Sequence, residues 1–184
     1  MISSKGKGTP IIFLHGYMYT SDVWNEIGLL RILEQRNIPF KAIDMPYGKI
    51  SECCPKTSTA ELNVDLVASV AGRDPVIVGA SLGGYIALKY SMSYPVKGML
   101  LAAPVMSLQE ELTRHYNRLD SKISIVYGDS DNIVPVNEMK KLSGLFGIDL
   151  KVYKNAEHPA YLDYPERFNQ DVLDLYEAAI RNSD

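Results

Sequence analysis

Short apolar runs, many of them β-branched, alternate along this chain with stretches whose apolar positions recur every three to four residues. That alternation predicts parallel strands joined by crossover helices, an α/β doubly wound architecture. The runs place strands at Pro10 to Leu14, Phe40 to Asp44, Val76 to Gly79, Gly98 to Ala102, Ile123 to Tyr127 and Leu150 to Tyr153. Several are apolar without interruption, such as Ile-Ile-Phe-Leu and Val-Ile-Val, as expected of strands covered on both faces by helices.

Helical spacing fills the intervals. Ser21 or Asp22 is placed to cap a first helix carrying Val23, Ile27 and Leu30 on one face. Ser58 and Glu61 have the spacing of a capping box ahead of Leu62, Leu66 and Val70. A third helix starts just after Ser81, a short one occupies Leu108 to Arg118, and another spans about Asn137 to Leu145. The last opens at Pro165, a residue suited to a first helical turn, and keeps Phe168, Val172, Leu175, Tyr176 and Ala179 on one side to about Arg181. No repeat, linker or low-complexity segment interrupts the series, so the 184 residues read as one domain. Gly48 to Thr57 is the longest irregular stretch and reads as a surface loop.

Composition narrows the function classes. Hydrophobic residues make up 46% and charged residues 22%, the range of ordinary globular domains. A net charge of −3 with no basic run points away from nucleic acid and anionic membranes as partners. No stretch has the apolar length of a membrane span, and the Ile11 to Leu14 run is too short for a signal peptide core. A cytoplasmic location is the expectation. The two cysteines, Cys53 and Cys54, are neighbours and read as reduced thiols in a loop.

The chemistry concentrates after strands. Gly79-Ala80-Ser81-Leu82-Gly83 matches G-x-S-x-G between a predicted strand and a predicted helix, the setting of a nucleophile elbow. A serine on so sharp a turn needs small neighbours, and the helix N-terminus behind it favours developing negative charge. His158, in the loop after the last strand, is a candidate base for Ser81. Asp131 and Asp129 both follow the strand ending at Tyr127, and either carboxylate is placed to accept the histidine Nδ1–H. His15-Gly16-Tyr17 follows the first strand; the Tyr17 and Leu82 N–H groups are candidates to face an oxyanion, and His15 itself reads as structural. Histidines 15, 115 and 158 form no metal-binding spacing, so no metal or other cofactor is expected.

With these residues in view, the sequence resembles the α/β-hydrolase superfamily over nearly its whole length, from Ile11 to about Ile180. The likeness rests on His15-Gly16, on Asp44 to Ser51, on the Gly79 to Gly83 elbow, on Gly128-x-x-Asp131-x-x-Val134-Pro135, and on His158 followed by Tyr164-Pro-Glu-Arg-Phe168. It implies the α/β-hydrolase fold, a catalytic triad of Ser81, Asp131 and His158, and oxyanion donors from Tyr17 and Leu82. Asp44 matches a family aspartate that is usually structural. Two departures shape the expectation. Nine residues precede Pro10, too few for two leading strands, so about six parallel strands are expected without the family's N-terminal antiparallel pair. Only Met106 to Ser121 separates the fourth predicted strand from the fifth, which leaves no room for a full cap domain.

A capless member should have an open pocket at the C-terminal edge of the sheet. Met18, Tyr47 and Met106 are the expected substrate-binding residues, with Tyr17, Tyr19 and Tyr116 as further lining candidates. The function this implies is a serine hydrolase that cleaves small or exposed acyl esters or thioesters through an acyl-enzyme, with a small-molecule acyl substrate as its partner. An acyltransferase or small-peptide hydrolase would use the same triad, and a non-catalytic ligand-binding protein would use the same fold. Oligomeric state is not legible in the pattern.

Overall fold

A computed structural model describes residues 1–51 and 58–181. Seven strands form one sheet: β1 (Ile2–Ser3), β2 (Ile11–Leu14), β3 (Phe40–Ile43), β4 (Val76–Ala80), β5 (Gly98–Ala102), β6 (Lys122–Gly128) and β7 (Leu150–Tyr153). Their order is β1-β3-β2-β4-β5-β6-β7. The six strands from β2 to β7 are parallel neighbours, as the alternation of runs predicted. The expectation of no antiparallel strand needs one correction. Ile2 and Ser3 pair antiparallel with Ala42 and Lys41, because the outer edge of β3 offers unpaired backbone groups that two extended residues satisfy.

Among the described residues six helices lie between strands and two follow β7: α1 (Val23–Glu26), α2 (Leu29–Gln35), α3 (Ala60–Ala71), α4 (Leu82–Ser91), α5 (Glu110–Tyr116), α6 (Val136–Phe146), α7 (Ala160–Asp163) and α8 (Pro165–Ile180). The first predicted helix is split into α1 and α2 at Gly28, whose φ of 74° breaks the helical path. The α3 cap is Thr59, not Ser58. Its hydroxyl accepts from the Leu62 N–H at 3.3 Å, while Ser58 accepts from the Asn63 side chain. Pro165 opens α8 as expected. Cys53 and Cys54 lie outside the described residues.

Alternation within the strands divides the interior in two. Ile11 and Phe13 face a layer built with α1, α2 and α8, where Trp24, Leu33, Phe168 and Val172 are buried. Ile12 and Leu14 face the layer of α3, α4 and α6, with Val67, Ile86, Leu88 and Met139. Trp24 is the hub of the first layer. Its ring stacks on Phe168 at 6.1 Å between centroids and meets Phe13 at 5.3 Å, joining β2 to α8 near the far end of the chain. Among the described residues no helix is long and apolar enough to cross a membrane.

Phe168 is wholly buried against Trp24, so its loss leaves a cavity beneath the sheet. Phe168→Ala is expected to lower the unfolding free energy by about 3–5 kcal/mol, as read by urea denaturation.

Candidate active site

Strand β4 ends at Ala80 and α4 begins at Leu82, so Ser81 alone makes the turn. Its backbone sits at φ 52°, ψ −113°, a conformation that costs a non-glycine residue about 1–3 kcal/mol. Three hydrogen bonds hold it there. The Ser81 N–H donates to the Ala102 carbonyl at 2.8 Å, and its own carbonyl accepts from Tyr85 at 3.2 Å and Val105 at 3.3 Å. The glycines flanking it answer to space. A Cβ at Gly79 would lie 2.6 Å from the Gly83 carbonyl oxygen, and one at Gly83 only 2.1 Å from that of Leu14. Helix α4 is thereby seated against β2 and β4 with its first N–H groups, which have no intrahelical acceptor, at the C-terminal edge of the sheet.

Asp131 and His158 reach that edge from the loops after β6 and β7. The two loops are laced together. Asp129 N–H donates to the Tyr153 carbonyl at 3.1 Å and Ser130 N–H to that of Ala156 at 2.9 Å. Of the two carboxylates left open by the sequence, Asp131 meets the histidine: its Oδ2 lies 2.7 Å from His158 Nδ1. Its Oδ1 accepts from the N–H groups of Ile133 at 2.7 Å and Val134 at 2.9 Å. Burial pushes the Asp131 carboxyl up, but these three hydrogen bonds outweigh it and hold the group below its ordinary value. Asp129 instead ties the two loops, accepting the Asn155 N–H at 2.5 Å. With the Nδ1–H directed at a carboxylate, the opposite nitrogen of His158 carries its lone pair. That Nε2 is sealed from solvent and has no hydrogen-bond partner among the described residues.

The His15-Gly16-Tyr17 turn lies alongside. His15 is fully buried and structural, as expected. Its Nε2 accepts from the Met45 N–H at 2.9 Å, which leaves Nδ1 protonated to donate to the Gly16 carbonyl at 2.8 Å. The Tyr19 N–H donates to the same carbonyl at 3.1 Å. In a trans peptide the C=O and N–H point in opposite directions, so two donors on the Gly16 oxygen aim the Tyr17 N–H the other way. Among the described residues nothing accepts from that N–H. Asp44 is structural too: it accepts from the Ser21 N–H at 2.8 Å.

Ser81 and His158 open on one pocket of about 230 Å³. Its rim is Tyr17, Met18 and Ile133, all at least half exposed, and its depth is lined by Ala80, Ala102 and Tyr161, which are buried. Met18 and Tyr19 line this pocket. Tyr47 and Met106 are corrections, for neither lines this pocket. The Tyr47 hydroxyl donates to the His15 carbonyl at 2.6 Å and its ring packs on the imidazole, so it braces the turn from behind. Met106, at φ 53°, is an exposed side chain after β5. Tyr116 is buried against Phe146 with its hydroxyl on the Ser107 carbonyl. His115 lies in α5 with Nε2 2.9 Å from the Ser91 carbonyl, away from the pocket. The sequence reading missed Ile133, Pro159 and Tyr161; their only signal was closeness to Asp131 and His158. Among the described residues no group of three or more His, Cys, Asp or Glu side chains is arranged to hold a metal.

The model of the alpha/beta hydrolase family matches residues 11–120. The chain belongs to the α/β-hydrolase family. It is 27% identical over 169 residues to ABHD14A of Rattus norvegicus, covering 89% of this chain and 69% of that one; of the Homo sapiens ABHD14A it spans 62%. It is also 27% identical over 173 residues to ABHD14B of Homo sapiens, described as a candidate protein-lysine deacylase, covering 90% of this chain and 81% of that one. Among solved structures, a predicted CIB-like hydrolase of Thermoplasma acidophilum superposes with a TM-score of 0.78 at 26% identity, over 90% of this chain and 84% of that one. The matched region holds β2 to β5 and the elbow, while Asp131 and His158 follow it.

His15 links the site to pH. Burial, the largest influence, lowers its pKa from 6.5, so the folded protein keeps the ring neutral where the unfolded chain would protonate it. The unfolded state binds more protons, and stability falls as pH drops below about 6.5 toward the lower folded value, by up to about 1.4 kcal/mol per pH unit. Urea unfolding at pH 7.5 and 5.5 is expected to show that loss, and His15→Asn to lack it. The depressed Asp131 carboxyl acts in a separate window: its contribution is present above 3.8 and disappears as pH falls through its folded value.

Proposed function

We propose that this protein is a serine hydrolase that cleaves carboxylic esters or thioesters through an acyl-enzyme. One observation carries the reading: the unpartnered Nε2 of His158 belongs to a ring that Asp131 orients and that lines the same pocket as Ser81. A lone pair sealed from water and left without a donor is a base waiting for the proton of a nucleophile.

In this mechanism Ser81 Oγ attacks the substrate carbonyl and its proton passes to His158 Nε2. Asp131 holds the ring and stabilises the imidazolium. The oxyanion of the tetrahedral intermediate accepts from the Tyr17 and Leu82 N–H groups, the first aimed by the double hold on the Gly16 carbonyl and the second at the positive end of α4. Collapse expels the alcohol or thiol, which takes the proton from His158. Water then adds to the acyl-enzyme with His158 as base, releasing the acid and restoring Ser81. No cofactor enters any step.

A second substrate class follows from the rim. Tyr17, Met18 and Ile133 are half exposed or more, so an acyl group on a larger molecule can enter while the rest stays outside. The description of ABHD14B adds an acyl-lysine side chain as one such molecule.

Fluorophosphonate labelling and p-nitrophenyl butyrate turnover test the reading. Wild type is expected to label once and turn over, Ser81→Ala to do neither, and Asp131→Asn to lose about 10³–10⁴-fold in kcat while staying folded. A parallel assay on a butyryl thioester and an Nε-acetyl-lysine peptide separates ester from amide chemistry. Folded wild type without label or turnover would overturn the proposal.

A further inference from the structure

Tyr161 is distinguished by where it lies. It is 2% exposed, yet it lines the pocket shared by Ser81 and His158. Its ring is fixed on three sides, by Trp24 at 5.4 Å, Phe168 at 5.5 Å and Tyr19 at 6.2 Å between centroids. Among the other buried tyrosines, Tyr116, Tyr127, Tyr153 and Tyr176 donate their hydroxyls to the Ser107 and Val134 carbonyls, the Asp171 carboxylate and the Thr9 carbonyl, while Tyr85 and Tyr90, on α4, do not line the pocket. The Tyr161 hydroxyl has no partner among the described residues. Nor is it among the unpartnered polar atoms sealed from solvent. The sliver of this side chain that solvent reaches therefore includes the oxygen, and the space it meets is the pocket.

A buried phenol ordinarily finds a hydrogen-bond partner, and an unmet one carries a desolvation cost. Here the partner is left to whatever enters. The surroundings restrict its chemistry. Burial pushes Tyr161 well above the ordinary tyrosine range, so it is a neutral O–H donor at physiological pH. Carboxylates of Asp163, Glu26 and Glu157 act on Tyr19, which lines the same pocket, so they disfavour negative charge on its side of the pocket. The remaining deep lining, Ala80 and Ala102, is apolar, and about 230 Å³ is below the roughly 300–1,000 Å³ of pockets for drug-sized ligands.

We propose that the Tyr161 hydroxyl binds substrate, donating to a neutral oxygen on the acyl group, so that the favoured substrates are short esters or thioesters whose acyl chain carries an ether, hydroxyl or keto oxygen. This rests on the acyl-enzyme reading above. A site built to hydrogen-bond a substrate atom discriminates against the analogue that lacks it, because the buried group is then left unmet.

The test compares p-nitrophenyl methoxyacetate with p-nitrophenyl butyrate, which differ by one oxygen in place of a methylene, on wild type and Tyr161→Phe. The ratio of kcat/KM for the two esters in wild type, divided by the same ratio in the variant, cancels their intrinsic reactivities. It is expected to be about 3- to 10-fold, the worth of one neutral hydrogen bond. A residue that only packs would change both esters together and leave the quotient at one. Fluorophosphonate labelling of both proteins separates the outcomes. Labelling with a quotient of one overturns this inference alone; folded wild type that does not label overturns the acyl-enzyme reading and this inference with it.

Discussion

The start of α4 touches the end of β2 so closely that a single methyl group at Gly83 would lie 2.1 Å from the Leu14 carbonyl oxygen. Most of the site is hung from that contact. It brings the positive end of a ten-residue helix to the edge of the sheet, and it forces the chain to leave β4 through one strained residue rather than a loose loop. The strain at Ser81 is tolerated because the contact leaves α4 nowhere else to go, and because neighbouring strands supply fixed partners for its backbone. Leu14 is also the residue before His15, so the same approach sets the distance between the elbow and the turn that carries Tyr17.

Backbone does most of the positioning around this centre. The Asp131 carboxylate is held by two N–H groups of its own turn, and the Gly16 carbonyl by an imidazole and an N–H. Met45 and Tyr47, both just past β3, complete the hold on His15 and its carbonyl. The ends of all six parallel strands thus contribute, and the groups at this edge inherit the rigidity of the sheet.

How far the sequence foretold this depended on whether a feature was local. The elbow, the two candidate carboxylates and His158 were legible because each follows an apolar run and obeys a short pattern. So was the order of the parallel strands' elements along the chain. The choice between Asp129 and Asp131 was settled by a loop from another strand, in which the Asn155 N–H claims the first and the imidazole the second. Tyr47 was misplaced because a tyrosine beside an active-site turn can face either side of it, and the His15 carbonyl pulls its hydroxyl behind. Tyr161 went unread because its importance lies in contacts with Trp24, some 137 positions earlier. Strand β1 was missed because two residues carry no periodicity; only the open edge of β3 makes them a strand.

Between β5 and β6 the chain has just enough length to cross over, and α5 is its one helix. Enzymes that close a lid over the substrate often spend more time opening it than reacting. A crossover of this size has no hinge and nothing to swing, so entry and departure through this side are matters of diffusion past Tyr17 and Met18. On the proposed acyl-enzyme mechanism, the slow part of a turnover then falls to bond-making, to attack on the ester or to the arrival of water at the acyl-enzyme. On that mechanism the cost is exposure: the rim of Tyr17, Met18 and Ile133 is open to solvent, so the oxyanion would rest on donors already in place, such as the N–H of the braced Gly16–Tyr17 peptide.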